Sequence, residues 1–266
     1  MEVHHHSHVD SKSDRKKRFK EYCFEFIMIF LAVTLGFLAE NIRETLSEKQ
    51  NAKEYAKLLV NDLDSDIGEL NRTDHVLKRI IDSGDSLSAL IRSGDIKKIP
   101  GGKLYYYEYW SGWQWKVTSR DATLKQLESS GAMRYLGNVA LIKKILDYEE
   151  SLKIIALLED NISAEKAENW SLVQKVFDGF YFRKAQRIRT AARDSSMERS
   201  EADSDRLDTF VNANYPLMTY ERTIWMELSN RALTSSAGYR TLLEAVIRAK
   251  QRAEDAMNGL KRRYRF

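Results

Sequence analysis

The stretch YCFEFIMIFLAVTLGFLA, Tyr22 to Ala39, decides how the chain is read. From Phe26 to Ala39 it runs fourteen residues without a charge, and counted back over Glu25 to Tyr22 it reaches eighteen. Eighteen helical residues cover about 27 Å, enough to cross a hydrocarbon core of roughly 30 Å. A carboxylate at the bilayer centre is costly, so Glu25 is expected near the interface, where it reaches headgroups or takes a proton. Glu25, Phe26, Gly36 and Glu40 thus mark the membrane helix and its edges.

Six basic residues precede the segment (Lys12, Arg15, Lys16, Lys17, Arg18, Lys20), against Arg43, Lys49 and Lys53 after it. That excess predicts a cytoplasmic N-terminus and a body outside the cytoplasm. A cleaved signal peptide has similar regions, but a cut after Ala39 would place bulky Phe37 where a small residue is wanted, which favours an uncleaved signal anchor. A buried core helix is the competing reading, and a basic flank has no reason to adjoin one.

The remaining chain is large enough for one large domain or two small ones. With 266 residues, only two are proline and twelve glycine, so long helices are expected. A net charge of +4 is too small to argue for nucleic acid. The single cysteine, Cys23, lies at the membrane boundary, leaving no disulfide outside it.

From Glu40 to about Ile91 the apolar residues Tyr55, Leu59, Leu63, Ile67, Leu70, Leu77 and Ile81 recur in steps of three or four, the mark of an amphipathic helix. As a stalk continuing from the membrane, its stripe must be covered by this chain or by another copy, as in a coiled coil. Pro100 with Gly101 and Gly102 reads as the turn that ends it.

LYYYEYWSGWQWKV (Leu104 to Val117) is the densest aromatic run. Such rings line ligand pockets or interfacial belts, but in helical proteins they more often fill the core. Asp121 can cap the following helix, which Ser129, Ser130 and Gly131 interrupt and Gly137 with Asn138 closes. A long helix then carries Ile142, Ile145, Tyr148, Leu152, Ile155, Leu158 and Ile162, and can extend to Phe182. Residues 183–206 change from basic to acidic and read as a helix end running into a solvated linker; a phosphate-binding patch of Arg183, Lys184, Arg187, Arg189 and Arg193 is the lesser alternative. A helix after Pro216 breaks at Ser235 to Gly238, and a last helix from Tyr239 carries an alanine-rich stripe suited to close packing. Its end, LKRRYRF, has charge suited to a helix terminus or to anionic headgroups.

Two stretches carry a resemblance. FKEYCFEFIMIFLAVTLGFLAENIRE (Phe19 to Glu44) resembles the anchor of an uncharacterised family of membrane-anchored bacterial proteins common in Bacteroidota. RDATLKQLESSGAMRYLGNVALIKKILDY (Arg120 to Tyr148) is similar to that family's segment T-x-x-x-L-K-S-S-G-x-x-R-x-I. Thr123, Leu127, Ser129, Ser130, Gly131 and Arg134 fall on the pattern; Glu128 stands where lysine is expected and Leu136 where isoleucine is. The resemblance covers about half of the chain and implies an all-helical extracytoplasmic domain on one transmembrane helix, with no activity attached. It also implies that a start of the type EVHHH is native.

That start holds His4, His5, His6 and His8, a candidate Zn²⁺ or Ni²⁺ tail. Past them the only histidine is His75, which disfavours zinc hydrolysis and histidine-based triads, and no Gly-rich phosphate loop occurs. An enzyme is therefore disfavoured and no cofactor is expected.

The expectation is an all-α protein: a tail (1–21), a transmembrane helix (22–39), a stalk (40–96) and a helical bundle (97–266). It would sit in a bacterial inner membrane, N-terminus inside and bundle periplasmic, as an interaction scaffold or sensor-like module. Expected partners are membrane lipid, a second copy and an envelope protein, with no nucleic acid. The alternative is a lipid- or small-ligand-binding protein or enzyme using the aromatic cluster at 105–115. Candidate contact residues are Trp110, Trp113, Trp115, Arg120, Ser130, Gly131 and Arg134.

Overall fold

The structure, a computed structural model, describes residues 12–193 and 201–266. Among the described residues seven helices follow one another: α1 (Lys12–Ser93), α2 (Gly101–Ser111), α3 (Ala122–Ser129), α4 (Val139–Val176), α5 (Gly179–Arg193), α6 (Glu201–Val211) and α7 (Arg222–Tyr264). Short 3₁₀ turns lie at Ile96–Lys98 and Ala132–Leu136, and no strand occurs among the described residues. The protein is all-α.

The chain divides between Tyr55 and Ala56 into two units. In the first, residues of α1 form a helix long and apolar enough to cross a membrane, with a mean hydropathy of 2.1 over its best window and none of that window buried. Phe24, Phe26, Ile29, Phe30, Leu35 and Phe37 are each more than half exposed. Leaving so many large apolar side chains uncovered would be costly in water, at roughly 1.5–3 kcal/mol per side chain.

The second unit contains the remainder of α1, which is therefore part of a folded body and not a separate stalk reaching to residue 96. Leu59, Leu63, Leu70, Leu77 and Ile81 are buried, and Ile67 is half-buried. The chain itself covers this stripe. The hydroxyls of Ser88 and Ser229 meet at 2.7 Å, Arg240 pairs with Asp85, and Ser236 lies by the Ile81 carbonyl, so α7 runs antiparallel to α1. Arg252 donates to the Asp147 carbonyl at 2.9 Å and to Ser151 at 2.7 Å, while Arg231 reaches Asn169, so α7 is antiparallel to α4 as well. Residues 56–93 and α4 are thus parallel and touch directly where Tyr148 donates to Asp66, and α7 returns against both as the third rod. Its fully buried Ala249, Ala253 and Ala256 let the backbones approach closely.

At one end of this bundle α2, α5 and α6 enclose a second core in which Tyr105, Phe177, Phe210 and Trp225 meet Leu87 and Ile91 of α1. The Tyr105 hydroxyl accepts from the Asp178 amide at 2.8 Å and donates to the Pro216 carbonyl at 2.9 Å. It thereby satisfies a backbone donor at the gap between α4 and α5, where the sequence alone allowed a continuous helix to Phe182.

Other local expectations change for stated reasons. α7 runs unbroken through Ser235 to Gly238 because Ser235 and Ser236 are buried small residues at a helix crossing, with Ser236 against Gly84. Asp121 makes no side-chain cap on α3 and pairs with Lys125 instead. Gly131 and Gly137, at φ 67° and 59°, do flank the 3₁₀ turn between α3 and α4, and Asn138 caps α4 through Leu141. Gly101 and Gly102 open α2 and do not merely turn the chain. The Gly102 amide donates to the Ala213 carbonyl at 2.9 Å, and a Cβ at either glycine would strike the backbone at Tyr215 or Phe210. Gly102→Ala is expected to lower stability by about 1–3 kcal/mol or more, since a backbone cannot yield as a side chain does. Thermal unfolding of the full chain in lipid nanodiscs, followed by circular dichroism, measures it.

Candidate functional site

A cleft of about 440 Å³ opens where α2 ends against α4, α5 and α7. That volume is typical of small-molecule sites. Trp113, from the chain just past α2, and Trp170 of α4 contribute indoles, with Tyr109 and Phe182 beside them. Trp170 and Phe182 meet edge to face at 6.0 Å and Tyr109 and Phe182 at 5.6 Å, and Tyr109 and Trp113 meet at a tilt of 44° and 6.1 Å. Trp170 is half exposed, so the cleft communicates with solvent.

Glu108 and Lys166 sit in the lining. Glu108 is only 6% exposed, and burial raises its carboxyl to about 7, opposed by the positive charge of Lys166 and a hydrogen bond with Ser111. Burial likewise lowers the Lys166 ammonium to about 7, against the attraction of Glu108. The ammonium donates to the Ser111 carbonyl at 2.6 Å and the Trp113 carbonyl at 2.8 Å, and lies 4.7 Å from the centre of the Tyr239 ring. Lys166 therefore fixes the turn leaving α2, and with it the indole of Trp113. The Tyr239 hydroxyl adds a hydrogen bond to the same Trp113 carbonyl at 2.8 Å. On α7, Arg231 is held by Asn169 and Glu227, and the Ser235 hydroxyl is buried in the lining without a hydrogen-bond partner among the described residues.

Beyond the cleft, residues 113–121 run along the bundle, alternating half-buried and exposed as an extended chain does. With no helix or sheet to satisfy it, this connector is pinned by buried acids. Asp66 accepts the Arg120 amide and the Tyr148 hydroxyl, each at 2.8 Å, and Glu159 accepts the Val117 amide at 2.7 Å. Burial raises both carboxyls above their ordinary range, and these hydrogen bonds oppose the rise.

The seven candidate contact residues do not converge. Trp113 lines the cleft, whereas Trp110 is buried under the Arg79 guanidinium at 4.2 Å, and Trp115 donates to Thr73 at 2.9 Å. Arg120 takes part through its amide, its side chain being exposed. Ser130 bonds the Gln126 carbonyl at the end of α3, Gly131 turns the chain, and Arg134 lies over Tyr135 at 5.0 Å. These last three form a helix corner apart from the cleft.

In the first unit, Glu25 and Phe26 are exposed, Phe26 stacks on Phe30, Gly36 has open space about it, and Glu40 pairs with Arg43. His4, His5, His6 and His8 lie outside the described residues, as do the side chains of Arg189 and Arg193. Among the described residues no cluster of three metal-ligating side chains occurs. Lys184 of the basic run is drawn over the rings of Phe180, Tyr181 and Tyr215.

The molecule is thus an all-α protein that carries, among the described residues, one helix long and apolar enough to cross a membrane. Comparison of this chain with family models, with curated proteins and with solved structures finds no match.

Two tests follow from this geometry. Asp66→Ala leaves the Arg120 amide and the Tyr148 hydroxyl without their acceptor and is expected to destabilise by about 1–3 kcal/mol. Hydrogen exchange of residues 113–120 should accelerate before that of α4, whereas Asp66→Asn keeps an acceptor and most of the protection. The second concerns pH. A carboxyl raised in the fold holds its proton longer than in the unfolded chain, so the Glu108 contribution falls as pH rises from about 4.5 to about 7. An ammonium lowered in the fold gives the opposite slope from about 7 to about 10.5. Glu108→Gln should therefore gain stability relative to the native chain between pH 5 and 7, as read from paired melts.

Proposed function

We propose that this protein is a single-pass, membrane-anchored module of the cell envelope that acts through contacts of its helical unit, as a sensor-like scaffold. The observation that carries the reading is the contrast between its two units. One consists of an uncovered apolar helix, and the other, residues 56–266, closes its own core. A helix of the first kind is stable in lipid, and a unit of the second kind is stable in water. The basic excess before the apolar segment supports a cytoplasmic N-terminus and a periplasmic helical unit in a bacterial inner membrane. The resemblance of Phe19 to Glu44 and Arg120 to Tyr148 to a membrane-anchored family of Bacteroidota supports the same placement.

Because residues 56–93 are covered within the chain, self-association is not needed to hide their stripe. Contacts with other proteins would instead use the exposed surface. The end of the bundle that holds the cleft also exposes Trp170, Phe180 and Met218, which suits it to such contacts.

Protease treatment of spheroplasts carrying a C-terminal epitope tests the placement, with the outer membrane removed and the inner one intact. Loss of the epitope is expected. Its survival until detergent is added would put the helical unit in the cytoplasm and overturn the envelope reading.

A further inference from the structure

The Glu108 cleft combines aromatic walls with a buried carboxylate, and the state of its neighbours determines which charge it can receive. The Glu108 carboxyl has the Ser111 hydroxyl as a hydrogen-bond partner and feels the charge of Lys166, and it lines the cleft. Lys166 directs its ammonium at two main-chain carbonyls and the Tyr239 ring, and Arg231 is engaged by Asn169 and Glu227. Both cations are held by oxygens of the protein, and Glu108 is the acidic group in the same lining. Ser235, 7% exposed, adds a hydroxyl with no partner among the described residues. The faces of Trp113 and Trp170 carry the negative side of the aromatic quadrupole and favour a cation over an anion.

We propose that the cleft binds a small organic amine in its protonated form, the ammonium meeting the Glu108 carboxylate and the Ser235 hydroxyl and the apolar body lying between Trp113 and Trp170. The amine would be the signal read by the sensor-like module, and in that respect the proposal rests on the function given above. A carboxylate ligand would meet Glu108 as a like charge. A neutral apolar ligand would cover the Ser235 hydroxyl without bonding it and would leave the Glu108 charge uncompensated, which is unfavourable for buried polar groups. A protonated amine satisfies both, and the opening beside half-exposed Trp170 gives it an entrance.

The full chain in lipid nanodiscs is titrated with 2-phenylethylammonium, 2-phenylethanol and 3-phenylpropionate, with tryptophan emission and calorimetry as readouts. The ammonium is expected to bind at least tenfold more tightly than either of the others. Glu108→Gln should remove that preference, and Ser235→Ala should weaken the ammonium several-fold without lowering the melting temperature. Preference for the propionate would mean that Lys166 and Arg231 recognise an anion, and would overturn the proposal. So would equal binding of the alcohol, no binding at millimolar ammonium, or a Glu108→Gln variant that keeps the preference. The three-probe comparison on the native chain decides the matter even if a variant fails to fold. Binding in nanodiscs is independent of orientation in the cell, so failure here is distinct from failure of the spheroplast experiment.

Discussion

Burial of one face of residues 56–93 is the constraint from which the folded unit follows. Leu59, Leu63, Leu70, Leu77, Leu87 and Ile91 are each at most 4% exposed, and each contributes roughly 1.5–3 kcal/mol when removed from water. Only long partners can cover a face of that length, which is why α4 and α7 are 38 and 43 residues. The small side chains of α7 determine how close the rods come. Ser236 sits against Gly84, and Ala249, Ala253 and Ala256 are fully buried, so α7 packs nearly by its backbone. Larger residues there would force the rods apart and open the core along its length.

A bundle so constructed has to route its connections over the outside, and the polar residues on its seams accomplish this. The connector 113–121 has main-chain donors that no helix satisfies, and an unsatisfied amide costs about 1–3 kcal/mol. Asp66 and Glu159 accept two of them, and Thr73 accepts the indole N–H of Trp115. Lys166 does the converse for carbonyls, holding those of Ser111 and Trp113. Acids bind amides and a lysine binds carbonyls, so each charge is placed against a dipole of suitable sign. The raised carboxyls and lowered ammonium are the residual strain of keeping these groups out of water.

This distribution explains what the sequence disclosed. The helical class and the long apolar helix near the N-terminus were legible because apolar residues signal both directly. The seams were legible only where they are apolar. On α1 the buried positions run Leu59, Leu63, Asp66, Leu70, Thr73, Leu77, yet the apolar pattern selects Ile67, which is half-buried, and passes over Asp66 and Thr73. On α4 the seam holds Ile155, Glu159, Ile162 and Lys166, whereas Leu158 stands to one side. Strict spacing of three and four would have marked Asp66, Glu159 and Lys166 as polar residues in core register. Glu108 carried a similar signal as the one charge within LYYYEYW. The run Ser235 to Gly238 misled for a related reason, because small residues suit a turn and a close helix crossing equally, and only the partner at Gly84 distinguishes them.

The aromatic run shows how packing and recognition divide among neighbouring residues. Tyr105 and Trp110 are buried, so their rings are spent on packing. Three residues beyond Trp110, the helix has ended and the chain must turn; Lys166 and Tyr239 hold that turn by the Trp113 carbonyl and so set its indole at the edge of the packed region. Aromatic density by itself therefore carries no binding function. The cleft exists because a helix end, anchored from two other helices, leaves rings and a buried carboxylate facing space that the core does not fill.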